Sequence, residues 1–350
     1  MPPTNKILTV YISCAPDITE LHTLLIKCLQ IPGHFNSIHL VATFRRVVQL
    51  VQQPGWTPRE MHVLSRSVLP ALFQQAQELL PTLDARAVAG IISSLGHLEL
   101  THLDLVDGLV HQAERKVAEF TPVGLSSLLW GLAKLSYQPS RLLYASLLST
   151  CIRRLPEFKP KDLAIVMWAC TKLDLQLEPP KLDAMLLHIQ HNMAECNAHS
   201  LCLIVYALTS LGHQPAEEWL LAFVRMVSGP RLAQFSPQGL SQMLWGLARL
   251  GIQPQEPWLQ RLMTEVHSML TQGQGQEQAQ RQEHSQRRGL SVNPTDLTHL
   301  LWGLATLRVD AERLHPEGTH AILLAAQYQL PAFKPQARAA DVEVICMQQC

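Results

Sequence analysis

The feature that most constrains this chain is a block of about 38 residues that recurs along it with one apolar signature. The signature reads Leu125-Ser-Ser-Leu-Leu-Trp130-Gly-Leu-Ala-Lys-Leu135, and returns at residues 163–173, 201–211, 240–250 and 297–307. Its aromatic position is Trp130, Trp168, Tyr206, Trp245 and Trp302, in steps of 38, 38, 39 and 57 residues. A period of this size marks a solenoid, in which each unit buries its apolar face only by stacking on its neighbours. The functional question therefore concerns a long surface rather than one active-site cleft.

Start signals recur around the signature, though not at every copy. Before it stand Phe120-Thr-Pro122, Phe158-Lys-Pro160, Phe235-Ser-Pro237, Val292-Asn-Pro294 and Phe333-Lys-Pro335. Thr121, Ser236 and Asn293 are good N-caps ahead of a proline at the first helical position, whereas Lys159 and Lys334 are poor ones. The signature helix, helix B, follows. Leu125, Leu128, Leu129, Leu132 and Leu135 have the spacing of one broad apolar stripe. After it come Pro139, Pro179-Pro180, Pro215 and Pro254, each opening a second amphipathic stretch, helix A, such as Glu217-Glu-Trp219-Leu-Leu-Ala-Phe-Val-Arg-Met226. The unit is a helical hairpin, and the predicted fold is all-α, an α-solenoid of such hairpins.

One helix B position is always small: Gly131, Ala169, Ala207, Gly246 and Gly303. Glycine inside a helix costs about 1 kcal/mol against alanine, so its use there implies close approach of a neighbouring helix. Weaker copies extend the array towards the N-terminus. In Val88–Leu98 Ser93 replaces the aromatic and Asp84 is the cap; in Leu40–Leu50 Arg45 replaces it, a looser fit 48 residues before Ser93. The expected organisation is lead-in helices over 1–34, the array over 35–335, and an irregular or truncated end over 336–350. The Gln-rich stretch 271–289 accounts for the long last step and is expected to be a disordered loop.

Composition narrows the chemistry. Lys plus Arg number 28 against 28 Asp plus Glu, so the formal net charge is +0. A polyanion partner would then need locally clustered cations. No apolar run is long enough to span a membrane. The eight cysteines form no Cys-x-x-Cys pair and are expected to be reduced core residues. His188, His191, Cys196, His199 and Cys202 are close in sequence without a standard zinc spacing. With no phosphate loop, nucleophile elbow or paired carboxylates, no catalytic residue, metal site or cofactor is assigned, and the chain is not expected to be an enzyme. Residues 1–30 lack the Arg-rich, acid-poor look of an organelle transit peptide, since Asp17 and Glu20 come early; either the chain is not targeted this way or its start lies upstream.

The signature, together with Pro215-Ala-Glu-Glu-Trp219-Leu220 and the looser Pro254-Gln-Glu-Pro-Trp258-Leu259, resembles the octotricopeptide repeat family over residues 18–335. That resemblance implies a role in organelle RNA metabolism: transcript stabilisation, processing, splicing or translation, in the chloroplast or alternatively the mitochondrion. It also implies single-stranded organelle RNA as the partner, with protein partners in a ribonucleoprotein complex. Some members of that family carry a C-terminal RAP domain, which is not evident after residue 308.

A base-by-base reader needs variable polar residues on one face of each repeat. The candidates on helix B are Lys134, Lys172, Ser210, Arg249 and Thr306 near its end, with Ser127, Gln242 and His299 one face-position earlier. Ile165 and Leu203 hold that earlier position in two copies, which points to burial there. The cations have a plainer role open to them, complementing the helix dipole. Stacking of bases on the aromatic column is weighed against packing between hairpins, and packing is expected; the same holds for Trp219 and Trp258. Two rival functions stay open: a protein–protein scaffold, and a fragment of a RAP-type RNA-processing protein.

Overall fold

The computed structural model describes residues 5–31, 33–280 and 293–329. Among the described residues the secondary structure is helical throughout, and the chain divides into two compact units, Met1–Gln176 and Leu177–Cys350. The predicted all-α repeat fold is what each unit contains. The first holds α1 (Asn5–Cys14), α2 (Ile18–Leu29), α3 (Ser37–Val51), α4 (Pro58–Val63), α5 (Leu69–Leu79), α6 (Ala85–Leu98), α7 (Leu103–Arg115), α8 (Pro122–Lys134), α9 (Arg141–Arg153) and α10 (Pro160–Lys172). The second holds α11 (Pro179–His191), α12 (Ala198–Leu211), α13 (Glu217–Met226), α14 (Pro237–Arg249), α15 (Glu256–Gln280), α16 (Pro294–Thr306), α17 (Ala311–Leu314) and α18 (Pro316–Gln329).

The B helices form one row in each unit. In the first unit α1 packs on α3, α3 on α6, α6 on α8 and α8 on α10; in the second α12 packs on α14 and α14 on α16. The weak copy at Leu40–Leu50 is thus a true B helix. Its loose phase has a cause. The following helix A is long, running α4, a π-helical turn at Leu64–Val68 and α5 almost without break.

Local chemistry sets the helix ends. Thr121, Ser236 and Asn293 each accept a hydrogen bond from the backbone N–H three residues on, and so does Asp84; Lys159 makes no such bond. Each capping side chain contributes about 1 kcal/mol. At the other end six copies, all but that of α3, turn through one left-handed residue: Glu99, Ser136, Asp174, Gly212, Gly251 and Arg308. The next N–H then reaches back to the last-turn carbonyl, as Tyr137 to Leu132 and Ile252 to Leu247, both at about 3.0 Å, the Schellman closure of a helix. Only two of the six are glycine, so this turn carries no uniform sequence mark.

The small position does what its residue type implies. A methyl group on Gly131 would sit 2.7 Å from the Ile92 carbonyl oxygen, and one on Gly246 2.7 Å from Val205 Cγ1. On Gly303 it would meet Leu244 Cγ at 2.8 Å. Each time the neighbour is the residue just before the aromatic position of the preceding B helix.

A further link carries no sequence signature. Lys116 donates to the Leu83 carbonyl, Arg154 to Phe120 and Arg231 to Cys196, in each case the residue just before the preceding repeat's N-cap. The cation stands at the end of helix A and satisfies a carbonyl outside the helix it belongs to. Trp219 and Trp258 are 3% and 5% exposed, and their indole N–H groups donate to the Leu186 carbonyl within the preceding helix A and to the Val227 carbonyl just beyond one. Both are packing residues, as expected.

Two expectations need correcting. The Gln-rich stretch does not begin as a loop, because α15 continues to Gln280. Gln, Glu and Ala are good helix formers, which accounts for the continuation. The remainder of that stretch, the motif at 333–335 and the end at 336–350 lie outside the described residues. Cys14, expected in the core, is exposed; Cys28, Cys151, Cys170, Cys196 and Cys202 are buried. Burial pushes the Cys151 and Cys202 thiols up to about 12.

Gly131→Ala and Gly246→Ala separate propensity from packing. Alanine favours the helix by about 1 kcal/mol, but the Gly131 methyl meets fixed backbone whereas the Gly246 methyl meets a valine side chain. Overpacking of this kind costs about 1–3 kcal/mol. Thermal unfolding should show Gly131→Ala as clearly destabilised and the more harmful of the two; a neutral Gly131→Ala would mean the helices are not held this close.

Candidate nucleic-acid interface

Helix B turns one face away from its apolar stripe. On that face the positions before, at and after the aromatic recur at helical spacing: Ser127, Trp130 and Lys134 on α8; Ile165, Trp168 and Lys172 on α10. In the second unit they are Leu203, Tyr206 and Ser210 on α12; Gln242, Trp245 and Arg249 on α14; His299, Trp302 and Thr306 on α16. The last member of each set is exposed in every copy. Ser127, Gln242 and His299 are half-buried, as are Ile165 and Leu203. All the residues singled out from the sequence thus fall on this face, grouped within each unit.

Members of the aromatic column pack against neighbouring B helices without being fully buried. Trp130, Trp168, Tyr206, Trp245 and Trp302 are half-buried, unlike the leucines beside them. The reason is angular. The aromatic lies at the edge of the leucine stripe, so the ring meets neighbouring helices and still keeps part of its surface exposed. Trp245 is stacked between Tyr206 and His299, with centroids 6.4 Å and 5.0 Å away. Trp130 lies 4.1 Å from His97 of α6. Such pairs contribute about 0.5–1.5 kcal/mol beyond their buried area.

Cations cover two of these rings. Lys134 Nζ lies 5.9 Å from the Trp130 centroid, and the Arg249 guanidinium 5.4 Å from that of Trp245. Both pairs are four residues apart on one helix, where side chains meet. The helix-dipole role stays compatible with this, since both cations stand in a last turn. The result is one pairing of flat ring and positive charge in each unit. It places cations locally in a chain whose formal net charge is +0.

The first unit carries more of this face than the aromatic signature marks. Arg45 and Ser93 occupy the aromatic position on α3 and α6, with Gln49 and His97 four residues later and Arg86 at the start of α6. Lacking the aromatic, these copies yield only their phase to the repeat pattern, although the substituted residue is itself the signal.

The His/Cys-rich segment around α11 and α12 is not drawn together. Cys202 directs its thiol at the Gly239 carbonyl, Cys196 is buried just before the Asn197 cap, and His199 is exposed. Among the described residues no group of three or more His, Cys, Asp or Glu side chains is disposed to hold a metal ion, and no helix is long and apolar enough to cross a membrane.

Fold and face together define an all-α helical-repeat protein with an aromatic and cationic surface on its B helices. A family described as RNA-editing substrate-binding complex 6 protein matches residues 55–178, the stretch holding α4 through α10. Comparison with curated proteins gives no match.

The two histidines in this face are held towards neutrality. Burial lowers the pKa of His299 from 6.5; burial and then the Lys134 charge lower that of His97. Below 6.5 the unfolded chain therefore takes up these protons before the folded one does, so folding stability falls as pH drops from there through the folded values. Comparing melting temperatures from about pH 7.5 to about pH 5.5, His299→Gln should lose less on the acid side than the parent chain. Equal slopes would mean that folding leaves His299 titrating as in the open chain.

Proposed function

We propose that this chain is a non-catalytic, single-stranded-RNA-binding repeat protein, acting within a ribonucleoprotein assembly in organelle RNA metabolism. The observation that carries this reading is the pairing of half-exposed rings with cations, Trp130 with Lys134 and Trp245 with Arg249. Rings accept unpaired bases by stacking at about 1–3 kcal/mol each, and cations beside them hold the phosphates. Such a surface suits a flexible strand whose bases are exposed. A duplex would hide them.

The match of residues 55–178 to a family described by a substrate-binding complex in RNA editing supports RNA as the partner, and a binding rather than chemical role. The octotricopeptide-like signatures support the organelle, with the chloroplast as the compartment they favour and the mitochondrion as the second. Sequence selectivity resides in what differs between copies: Lys134 and Lys172 in one unit, Ser210, Arg249 and Thr306 in the other, with Ser127, Gln242 and His299 beside the rings.

Crosslinking in cells followed by sequencing of bound fragments should enrich organelle transcripts; recovery of protein partners without RNA would turn the reading towards a scaffold. In solution, Lys134→Ala, Lys172→Ala and Arg249→Ala combined should weaken binding of single-stranded RNA. Each phosphate of a single strand that is no longer neutralised lowers the salt slope by about 0.7, so the slope of the triple variant should fall by roughly two units. Helicity by circular dichroism should stay intact, because all three side chains are exposed. An unchanged affinity and slope would remove this face from consideration.

A further inference from the structure

Where the aromatic is missing, the surface opens. Between α3, α6 and α8 lies a groove of about 540 Å³, lined among others by Arg45, Gln49, Arg86, Gly90, Ser93 and Ser127. A second, of about 510 Å³, adjoins it towards α1 and shares Arg45, Gln49 and Arg86. Its origin follows from the repeat. On α8 the aromatic Trp130 fills the space against His97, the residue at the end of the preceding signature. On α6 the same position is Ser93, and the corresponding residue of α3, Gln49, lines the groove with it. The groove lies beside Ser93, at the position where the next B helix carries Trp130.

The lining is polar where a base edge needs partners and open where a base face needs room. Ser93, Gln49, His97 and Ser127 supply donors and acceptors; Gly90, Ala89, Val48 and Val123 supply flat, small or apolar wall. Among the described residues Arg45 and Arg86 have no hydrogen-bond or ion-pair partner. By contrast, Arg46 beside them is committed to the Ala15 carbonyl and to Gln49. Two acids border the grooves, Asp84 and Glu119. Asp84 is occupied in capping α6 through the Ala87 N–H. Two unpartnered guanidinium groups thus stand over a cavity of the size that takes a small ligand, and guanidinium suits phosphate by its forked geometry.

We propose that this groove is a nucleotide subsite: one nucleoside monophosphate unit inserts its base into the place vacated by the aromatic, with its phosphate held by Arg45 and Arg86. This deepens the RNA-binding reading and rests on it for the source of the nucleotide, a unit of a bound strand. A free mononucleotide has the same chemistry and serves as the second probe. The N-terminal repeats would then hold a base by inclusion, where the later ones offer a half-exposed ring.

The test uses the full chain with two probes, a short single-stranded RNA and the free monophosphates 5′-AMP and 5′-UMP. Ser93→Trp restores the residue found in later copies and closes the groove. Arg45→Ala with Arg86→Ala removes the phosphate partners, and both side chains are exposed and unpartnered, so this variant keeps its fold even if Ser93→Trp does not. Each should weaken RNA binding roughly tenfold or more, the scale of losing one held base, and abolish saturable mononucleotide binding by NMR or calorimetry. If wild-type chain binds RNA and neither variant changes the affinity, the subsite is wrong and the wider reading stands. If it binds the monophosphates in a Ser93→Trp-sensitive way but no RNA, the subsite stands and the RNA reading falls. If it binds neither probe, both fall.

Discussion

Everything else in each unit depends on the close approach of consecutive B helices at one small residue. At Gly131 a single methyl group would run into a backbone carbonyl oxygen, and at Gly246 and Gly303 into a packed side chain. That distance sets the pitch of the row. The leucines behind the crossing then meet neighbours at packing distance, and the residues in front of it, one helical turn away, face outward together. Packing and exposure are two sides of the same crossing.

Secondary links keep the pitch from drifting. The cation at the end of helix A takes the carbonyl before the previous N-cap, and the indoles of Trp219 and Trp258 take carbonyls one repeat back. The carbonyls before the N-caps would otherwise lack partners at helix ends, where backbone groups are in surplus. Satisfying them across the repeat boundary ties each hairpin to its neighbour in a defined register. A row of half-exposed rings with cations beside two of them depends on a scaffold so spaced, and a chain of zero formal net charge can in this way still present local positive groups on one face.

Much of this is legible in the sequence because the apolar signature recurs in phase. The hairpin, the caps at Thr121, Ser236 and Asn293, and the close approach at Gly131 follow from residue type and spacing. The clamps of Lys116, Arg154 and Arg231 do not, since isolated cations reaching back 33 to 35 residues carry no hydrophobic periodicity. Nor do the left-handed turns, because Glu99, Ser136, Asp174 and Arg308 adopt them without glycine. For the aromatic column, residue type points to packing, since a tryptophan buries much of its surface. The angle at which the ring leaves the helix decides how much of it stays exposed.

The sequence by itself determined the unit, its length, its two helices and the small residue where they crowd, because these rest on local propensity and on a pattern repeated often enough to stand out. Only the tertiary structure decided which members of the pattern face outward, and that the loss of one aromatic at Ser93 leaves a groove beside two guanidinium groups. A vacancy is a property of what surrounds a residue. No spacing rule describes it until the neighbouring helices are in place.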